Sequence, residues 1–299
     1  MAKINNLVDN CKLEGKRVLI RVDFNVPLKN GLVSENSRIK KVLPTINFLI
    51  KNKAKTIIIS HVGRPKGRNI PDLTLKPIAK ELGKLLNKKI TFLNETIGPK
   101  VVDKSKSISN GDILLLENLR FYKDEELNSK NFAEELSKNG DIYVNEAFSC
   151  SHRDHASISE ITNYISSYAG QQLLQEINMI KMLTDNAKKP VSCIIGGSKI
   201  STKIGVLTNL IKKMNNIIIV GAMANNFIKY KNYNIGQSVY EKDAVNLIKD
   251  IMKKSEENNC KIIIPTDVIV SKNLNSKGQL KNLDEIDDSD LILDIGDKT

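Results

Sequence analysis

Residues 18–27 read Val-Leu-Ile-Arg-Val-Asp-Phe-Asn-Val-Pro, an apolar run that gains polar residues towards its end. A short aliphatic run without strict alternation is typical of a parallel strand that helices cover on both faces. In its second half, the two-residue period of a strand places Arg21, Asp23 and Asn25 on one face. Burying polar groups costs free energy unless they form hydrogen bonds, so the polar residues on this face are expected to have partners.

Similar short runs recur along the 299 residues and alternate with amphipathic segments, which predicts a doubly wound α/β fold. We predict strands at residues 18–24, 56–60, 90–93, 112–116 and 141–144, and a second series at 191–195, 217–220, 261–264 and 291–295. Helices are predicted at residues 37–51, 75–86, 131–138, 200–212 and 242–255.

The two strand series are separated by residues 171–186, which carry one apolar stripe and end shortly before Pro190. We interpret this segment as a helix that joins two parallel-sheet, Rossmann-like domains. The predicted ranges are 1–168 for the first domain, 169–189 for the connecting helix and 190–299 for the second domain.

Composition favours an ordinary soluble protein, with 40% hydrophobic and 27% charged residues. The longest apolar run, Ile217 to Ala224, is far shorter than the roughly 18–20 residues of a membrane span. The first residues lack the apolar core of a secretory signal, so a cytoplasmic location is expected. The four cysteines are scattered, as small core residues of a reducing compartment would be: Cys11, Cys150, Cys193 and Cys260.

The net charge of +12 either follows from a lysine-rich composition or indicates an anionic partner. The arginines favour the second interpretation, because several fall where predicted strands end or a helix begins. Ligands of open α/β sheets bind outside the carboxyl ends of the strands, and clustered arginines repel one another unless an anion lies between them. We therefore predict a site for a small, multiply charged anion formed by Arg21, Arg38, Arg64, Arg120 and Arg153 together with His61.

The second series has a strand, a glycine turn and a helix start at Gly196-Gly197-Ser198-Lys199, an arrangement that receives phosphate. Lys199 and Lys203 are four residues apart, and we expect both near the start of that helix. The next strand ends in Gly221-Ala222, small residues that let a flat ring approach the backbone. An anion site and a nucleotide site together predict phosphoryl transfer between an acidic metabolite and a nucleotide.

Other functional classes fit less well. His152 and His155 lack the further ligands of a metal site, and a Gly-x-Ser-x-Gly hydrolase motif is missing. A nucleic-acid-binding protein is disfavoured by the 5% aromatic content and by the lack of an RNA-binding motif or basic arm.

The same residues carry a collinear resemblance to the phosphoglycerate kinase family. Its motifs are Arg21-Val22-Asp23-Phe24-Asn25-Val26-Pro27, Ser60-His61-Val62-Gly63-Arg64-Pro65, Glu117-Asn118-Leu119-Arg120-Phe121, Asn145-Glu146-Ala147-Phe148 with His152-Arg153, Gly196-Gly197-Ser198-Lys199, Gly221-Ala222-Met223-Ala224-Asn225-Asn226-Phe227, Pro265-Thr266-Asp267-Val268 and Leu293-Asp294-Ile295-Gly296.

The resemblance implies reversible transfer from 1,3-bisphosphoglycerate to ADP in glycolysis, giving 3-phosphoglycerate and ATP, with Mg²⁺ carried on the nucleotide. It implies a catalytic role for Arg38, aided by Lys199. The residues expected to bind substrate are Arg21, Asp23, Phe24, Asn25, Arg38, His61, Val62, Gly63, Arg64, Arg120 and Arg153. Those expected to face the nucleotide are Gly196, Gly197, Lys199, Lys203, Gly221 and Ala222. A monomer is expected, without nucleic-acid or membrane partners.

The chain departs from the family's pattern at Glu146, where aspartate is usual, and at Ala222, where glycine is common. It also ends at Thr299, before the family's Gly-Gly-Gly-Asp loop, whose aspartate assists magnesium, and its Trp-Asn-Gly-Pro stretch. We therefore expect a fragment with a complete substrate domain and an incomplete second domain, which binds 3-phosphoglycerate with little or no turnover. The alternative is a homologue that binds a phosphorylated acid without catalysis.

Overall fold

A computed structural model describes residues 4–7, 12–185 and 187–299 of the chain. The predictions for Cys11 and Asn186 lie outside these ranges. The chain divides into two compact units, residues 1–179 and 180–299, and the division falls inside the helix Gln171–Asp185. The predicted domain ranges stay a prediction, and each unit is described by itself.

Unit 1 contains eight strands in its described part: β1 Arg17–Arg21, β2 Leu28–Lys29, β3 Leu32–Val33, β4 Lys55–Ile59, β5 Thr91–Leu93, β6 Ile113–Leu116, β7 Ile142–Asn145 and β8 Ser167–Ala169. Its helices are α1 Ser37–Lys51, α2 Lys76–Leu86, α3 Pro99–Ser107, α4 Lys123–Glu126, α5 Lys130–Ser137 and α6 Gln171–Asp185. Six strands form one parallel sheet in the order β5-β6-β4-β1-β7-β8, while β2 and β3 form a separate hairpin.

The parallel sheet is buried on both faces, which is why its strands read as continuous apolar runs. Along β1, Val18 and Ile20 belong to one hydrophobic cluster, and Leu19 belongs to another. The first cluster includes Ile46 of α1, and the second includes Phe132 of α5. The predicted α/β layer structure is therefore confirmed for unit 1.

Unit 2 contains β9 Ser192–Gly196, α7 Ile204–Ile211, β10 Asn216–Val220, α8 Ala222–Tyr230, α9 Val245–Glu257, β11 Lys261–Ile263, β12 Asp267–Ser271, β13 Gln279–Asn282 and β14 Leu291–Ile295. Strands β11, β10 and β9 form a parallel sheet, and β9 lies at its edge with Ile194 68% exposed. Strands β13, β12 and β14 form a second, antiparallel sheet.

The antiparallel sheet corrects the sequence prediction, which assigned residues 291–295 to the parallel series and missed β12 and β13. The connection between β12 and β13 spans only residues 272–278. A parallel pair needs a crossover of a dozen or more residues, so this short connection makes β12 and β13 antiparallel.

Among the described residues, no helix is both long enough and apolar enough to cross a membrane. Cys150 and Cys260 are buried free thiols, and Cys193 is a partly exposed one.

Gly236 supplies a test of the packing in unit 2, because it has a φ of 53° and a Cβ there would lie 2.6 Å from the carbonyl oxygen of Asp287. We expect Gly236→Ala to lower the free energy of unfolding by about 2–4 kcal/mol through backbone strain and overpacking. Gly205 is the matched control: it lies in helix α7, and nothing lies within 4 Å of the position that a Cβ would take there.

We expect Gly205→Ala to raise stability by up to about 1 kcal/mol, because alanine favours helix. Guanidinium denaturation followed by circular dichroism measures both variants. Equal effects of the two substitutions would contradict the packing described around Gly236.

Candidate functional site

The register of the sheet in unit 1 aligns the carboxyl ends of its central strands. Arg21, the last residue of β1, pairs with Ile59 at the end of β4 and with Asn145 at the end of β7. The loops that follow these strands therefore leave the sheet at one edge. They carry most of the residues predicted to bind the anion.

Hydrogen bonds between main chain and side chain order the loop after β1 and join it to the loop after β4. The Asn25 N–H donates to Oδ1 of Asp23 at 3.0 Å, and Oδ1 of Asn25 accepts from the Gly63 N–H at 2.9 Å. Gly63 has a φ of 65°, and a Cβ there would lie 2.7 Å from Leu73 Cδ2, so only glycine fits. Nη1 of Arg120 donates to the Gly63 carbonyl oxygen at 2.8 Å, which joins a third loop to the same point.

Asp23 is the acid at the centre of this edge. Its Oδ2 pairs with Nη1 of Arg38 and also accepts from the hydroxyl of Ser149. The Asp23 side chain is 12% exposed, whereas that of Arg38 is 47% exposed. Arg38 is thus held at the site by Asp23 while about half of its side chain stays exposed.

Arg21 was expected to face the ligand, but its side chain is fully buried. Its Nε donates to Oγ of Ser157 at 3.0 Å, its Nη1 to the carbonyl oxygen of Val22, and its Nη2 to Nδ1 of His61 at 3.0 Å. This is a correction to the sequence-based expectation: every nitrogen of the guanidinium already has a protein partner. The hydrogen bond from Arg21 to Ser157 has no local signature in the sequence.

His61 lies between cations and is itself neutral. Burial lowers its pKa far below the usual value for histidine, and the charges of Arg21, Arg120 and Arg153 lower it further. Its Nε2 lies 4.0 Å from Oδ1 of Asp23.

Arg120 and Arg153 lie close enough to each other and to His61 to influence their charge states. Arg120 is only 3% exposed, with its Nε 3.5 Å from Glu126. Burial is the largest cause that lowers the Arg120 pKa; Glu126 opposes this shift, and Arg153 adds to it. Arg153 is half-buried, Arg64 is exposed, and in the described ranges neither guanidinium has a hydrogen bond or ion pair.

Phe24 and Val62 were also expected at the site, and both side chains are buried in the hydrophobic core of unit 1. The Phe24 N–H donates to the Ser60 hydroxyl at 2.9 Å, and the Val62 carbonyl oxygen accepts from Asn118 at 2.8 Å. Only main-chain atoms of these two residues lie in the loops at the sheet edge.

A pocket with a volume of about 220 Å³ opens beside Asp23 and Arg38. Sequence reasoning missed its other lining residues, which are Lys41, Val42, Glu146, Phe148, Ser149, Gln172 and Glu176. Lys41 could have been found, because it lies three residues after Arg38 on the same face of α1.

Glu146 forms one wall of this pocket and also caps α6. Its carboxylate accepts the N–H groups of Gln172 at 3.1 Å and Leu173 at 3.0 Å, and the hydroxyl of Thr45. Burial raises its pKa, and these hydrogen bonds oppose the shift. A Cβ at Gly170 would overlap with the Glu146 carboxylate, so the glycine makes room for it.

Asp23, His61 and Cys150 place possible metal ligands within 4.8 Å of one another. The chemistry does not suit a cation, because Nδ1 of His61 accepts from Arg21 and Nε2 therefore carries the ring proton. Arginine charges surround the histidine as well. We assign no metal to these three residues.

In unit 2, the predicted nucleotide residues lie at the ends of neighbouring strands. Gly196 at the end of β9 pairs with Val220 at the end of β10. A Cβ on Gly221, which has a φ of 66°, would lie 3.6 Å from the main chain of Gly197. The Met223 N–H donates to the Gly197 carbonyl oxygen at 2.7 Å, so both glycine turns and the start of α8, with Ala222, adjoin one another.

The predicted helix over 200–212 begins later than expected. A 3₁₀ turn covers Ser201–Lys203, and α7 starts at Ile204, so Lys199 precedes the helical segment. Both lysines therefore lie before the first residue of α7. The hydroxyl of Ser201 donates to Glu241 at 2.6 Å.

Glu241 also accepts the Ser201 N–H at 3.0 Å, and its own N–H donates to the buried Asn226 at 2.8 Å. It therefore supplies a negative charge beside Lys199. Lys199 and Lys203 are both exposed, and no hydrogen bond or ion pair to their amino groups occurs in the described part of the chain.

A small pocket of only about 10 Å³ adjoins Gly221. It is lined by Gly221, Ala224, Asn225, Ile228, Pro265, Val268, Ile292, Leu293, Asp294 and Ile295. Oδ1 of Asn225 is buried there and lacks a hydrogen-bond partner among the described residues. The apolar residues of β12 and β14 could not be assigned to this pocket from the sequence, because the antiparallel sheet was not predicted.

Known proteins match this chain in both sequence and fold. A family profile described as phosphoglycerate kinase matches residues 8–299. The chain is similar to a phosphoglycerate kinase of Wolbachia pipientis wMel, with 47% identity over 293 residues that cover 98% of this chain and 73% of the relative. A phosphoglycerate kinase of Wolbachia pipientis subsp. Culex pipiens is 46% identical over 98% of this chain and 74% of its own length.

A solved phosphoglycerate kinase from Coxiella burnetii superposes with a TM-score of 0.83 at 35% identity, and the match covers 99% of this chain and 75% of that one.

Glu241 supplies a test of the site in unit 2. We expect Glu241→Ala to lower the free energy of unfolding by about 1 kcal/mol near neutral pH, because the start of α7 loses a capping carboxylate. The hydrogen bonds from Ser201 lower the Glu241 pKa. A lowered pKa means that the stabilisation is present above the usual carboxyl pKa and is lost as the pH falls through the lowered value.

The difference between wild type and Glu241→Ala should therefore shrink in acid, as measured by urea denaturation at several pH values. Glu256→Ala, on the exposed surface of α9, is the control and should change stability little. A Glu241→Ala penalty that is absent at pH 7 would contradict the capping role.

Proposed function

Because this chain belongs to the phosphoglycerate kinase family, we propose that unit 1 binds 3-phosphoglycerate and that unit 2 binds ADP or ATP. The family catalyses reversible phosphoryl transfer from 1,3-bisphosphoglycerate to ADP in glycolysis, with Mg²⁺ on the nucleotide. The individual residues and their roles are proposals that rest on the geometry of each unit.

The observation that carries the proposal is the excess of arginine charge at the edge of the sheet in unit 1. Arg120 and Arg153 lie near each other, while Asp23 pairs with Arg38 and Glu126 approaches Arg120. Arg153 and Arg64 have no acidic partner in the described ranges. A three-carbon acid with a phosphate at one end and a carboxylate at the other provides the missing negative charge at two points.

The other groups at this edge suit the rest of that ligand. The Asp23 carboxylate is an acceptor for the 2-hydroxyl group, and the Asn25 side chain and neutral His61 supply further polar contacts. Phe24, Val62 and Gly63 contribute main-chain atoms, because the first two side chains are buried.

The chemistry proposed for the site is positioning and charge neutralisation, and it needs no protein nucleophile. Arg38 is the candidate to stabilise the phosphoryl group during transfer, because it is accessible and held by a single carboxylate. Lys199 is its proposed counterpart on the nucleotide.

For the nucleotide, we propose that Lys199, Lys203 and the main chain at Gly196 and Gly197 bind phosphate. Gly221 and Ala222, at the start of α8, then lie beside the base or sugar. The charged groups on residues 196–203 are lysines, which bind phosphate oxygens and not a metal, so the metal would arrive on the nucleotide. We further propose a cytoplasmic monomer.

Isothermal titration with 3-phosphoglycerate tests the substrate site. We expect one site on the full chain, and affinity that falls roughly 10- to 100-fold in Arg38→Ala and in Arg153→Ala, since each variant loses hydrogen bonds to a charged group. Lys106→Ala is the matched control, because residue 106 lies near Lys55 at the start of β4, at the opposite edge of the sheet. If both arginine variants bound as tightly as wild type, the proposed site would be wrong.

Titration with Mg-ADP tests the second site independently. We expect Lys203→Ala to lower nucleotide affinity roughly tenfold, because a charge-assisted phosphate contact is lost, and to leave 3-phosphoglycerate binding unchanged. Lys213→Ala is the control, since Lys213 lies beyond the other end of α7. A similar loss in both variants would indicate a general effect of net charge instead of a specific contact.

A further inference from the structure

We propose that Glu125 and Ser157 hold Arg21 so that Arg21 fixes His61 in the neutral tautomer protonated at Nε2, which gives the site a permanent N–H donor. Glu125, Ser157 and Arg21 are then positioning residues that act through His61. Only the contact between this Nε2–H donor and 3-phosphoglycerate rests on the proposed function.

The direction of the hydrogen bonds is set at Glu125 in α4, whose side chain is fully buried. Its two oxygens accept the Ser157 N–H at 2.9 Å and the Ser157 hydroxyl at 2.6 Å. A carboxylate only accepts, so the hydroxyl proton of Ser157 points towards Glu125. The lone pairs of the hydroxyl oxygen are left for another donor.

That donor is Nε of Arg21, 3.0 Å from Oγ of Ser157. The guanidinium is buried, and no carboxylate in the described part of the chain pairs with it directly. A buried cation needs compensation, and the Ser157–Glu125 pair supplies a negative charge one hydrogen bond away. Tyr143 holds the same loop, because its hydroxyl donates to the Ser157 carbonyl oxygen at 2.6 Å.

Arg21 in turn determines where the His61 proton resides. Nη2 of Arg21 is 3.0 Å from Nδ1 of His61, and arginine has donors only, so Nδ1 must accept. The single proton of the neutral ring is therefore on Nε2. Nε2 is 4.0 Å from Asp23 Oδ1, beyond hydrogen-bond distance, so its proton remains available to a ligand.

The surroundings of His61 keep the ring neutral over the physiological range. Burial and the nearby cations lower its pKa, and the one acid near Nε2 is Asp23, which is already paired with Arg38. Charged and titratable groups reach His61 from several segments: Arg21 in β1, Asp23 after it, Arg120 after β6, and Cys150, Arg153 and His155 after β7. His155 faces Glu125 at 3.8 Å, and burial lowers its pKa as well.

Long-range ¹H–¹⁵N spectra of the imidazole rings test the tautomer directly in the ligand-free chain. The protein has only three histidines, and loss of one ring signal in His61→Gln assigns His61. We expect the His61 ring to show an unprotonated Nδ1 and a protonated Nε2 that do not change between about pH 5 and pH 8, because its pKa is lowered. A ring that is protonated on Nδ1, or on both nitrogens at pH 7, would overturn the proposal.

Ser157→Ala tests the link from Glu125 to Arg21, with Ser137→Ala as the matched control. The Ser137 hydroxyl donates only to a neighbouring carbonyl oxygen on the exposed side of α5. We expect Ser157→Ala to produce a second His61 tautomer in the spectrum and to weaken 3-phosphoglycerate binding roughly tenfold, and Ser137→Ala to change neither. An unchanged tautomer and an unchanged affinity in a folded Ser157→Ala protein would refute the role of Ser157.

A second pair of variants covers the case in which Ser157→Ala fails to fold. Ser157→Thr keeps the hydroxyl and should keep the wild-type tautomer, while Glu125→Gln removes the charge and should populate the second one. Glu134→Gln removes an exposed carboxylate from α5 and serves as the charge control. A wild-type tautomer in folded Glu125→Gln would exclude Glu125 from the network.

The tautomer of His61 and the binding of 3-phosphoglycerate are measured separately, so each can fail without the other. If wild-type protein shows the Nε2–H tautomer but does not bind 3-phosphoglycerate, the substrate assignment fails and the network stands. If it binds 3-phosphoglycerate with the other tautomer, the network fails and the substrate assignment stands.

Discussion

The in-register pairing of three parallel strands determines where the charged residues of unit 1 come together. Because Arg21 pairs with Ile59 on one side and with Asn145 on the other, the loops after β1, β4 and β7 begin at the same level. Cations that are distant in sequence are thereby forced together at one edge. A shift in register by one residue would also exchange the two buried faces of the sheet, so the hydrophobic core fixes the position of the site.

The cations at this edge are tolerated for different physical reasons. Arg21 is buried and compensated through Ser157, Arg38 shares a carboxylate with Ser149, and Arg120 donates to a main-chain carbonyl oxygen. His61 stays uncharged and adds no further repulsion. Arg64 and Arg153 are left with charge that only solvent or a ligand balances, which is the arrangement expected of a site built to bind an anion.

The sequence predicted well those features that depend on local pattern. The helix over residues 37–51 was predicted with the bounds that the structure has, because Ile39, Val42, Ile46 and Leu49 repeat at helical spacing. The two-residue alternation also separates the side chains of Val22, Phe24 and Val26, which are buried, from that of Asn25, which is exposed.

Features that depend on contacts distant in sequence could not be predicted. Arg21 was predicted to bind the substrate, because nothing near it in the sequence indicates its hydrogen bond to Ser157, 136 residues later. The helix predicted over 200–212 was started too early, because the local pattern cannot show that Ser201 begins a 3₁₀ turn whose N–H is bound by Glu241, 40 residues later. The antiparallel sheet of unit 2 was missed because β13 is short and exposed and has no apolar pattern.

The carboxylate of Glu146 belongs at once to the pocket beside Arg38 and to the first turn of α6. It fits there only because Gly170 has no side chain. A glutamate at position 146 therefore requires a glycine at position 170. Substitutions at these two positions depend on each other during evolution. In an alignment of descendants of this sequence, a substituent at position 170 would be found with a shorter acid at position 146, and the two exchanges would be inherited as a pair.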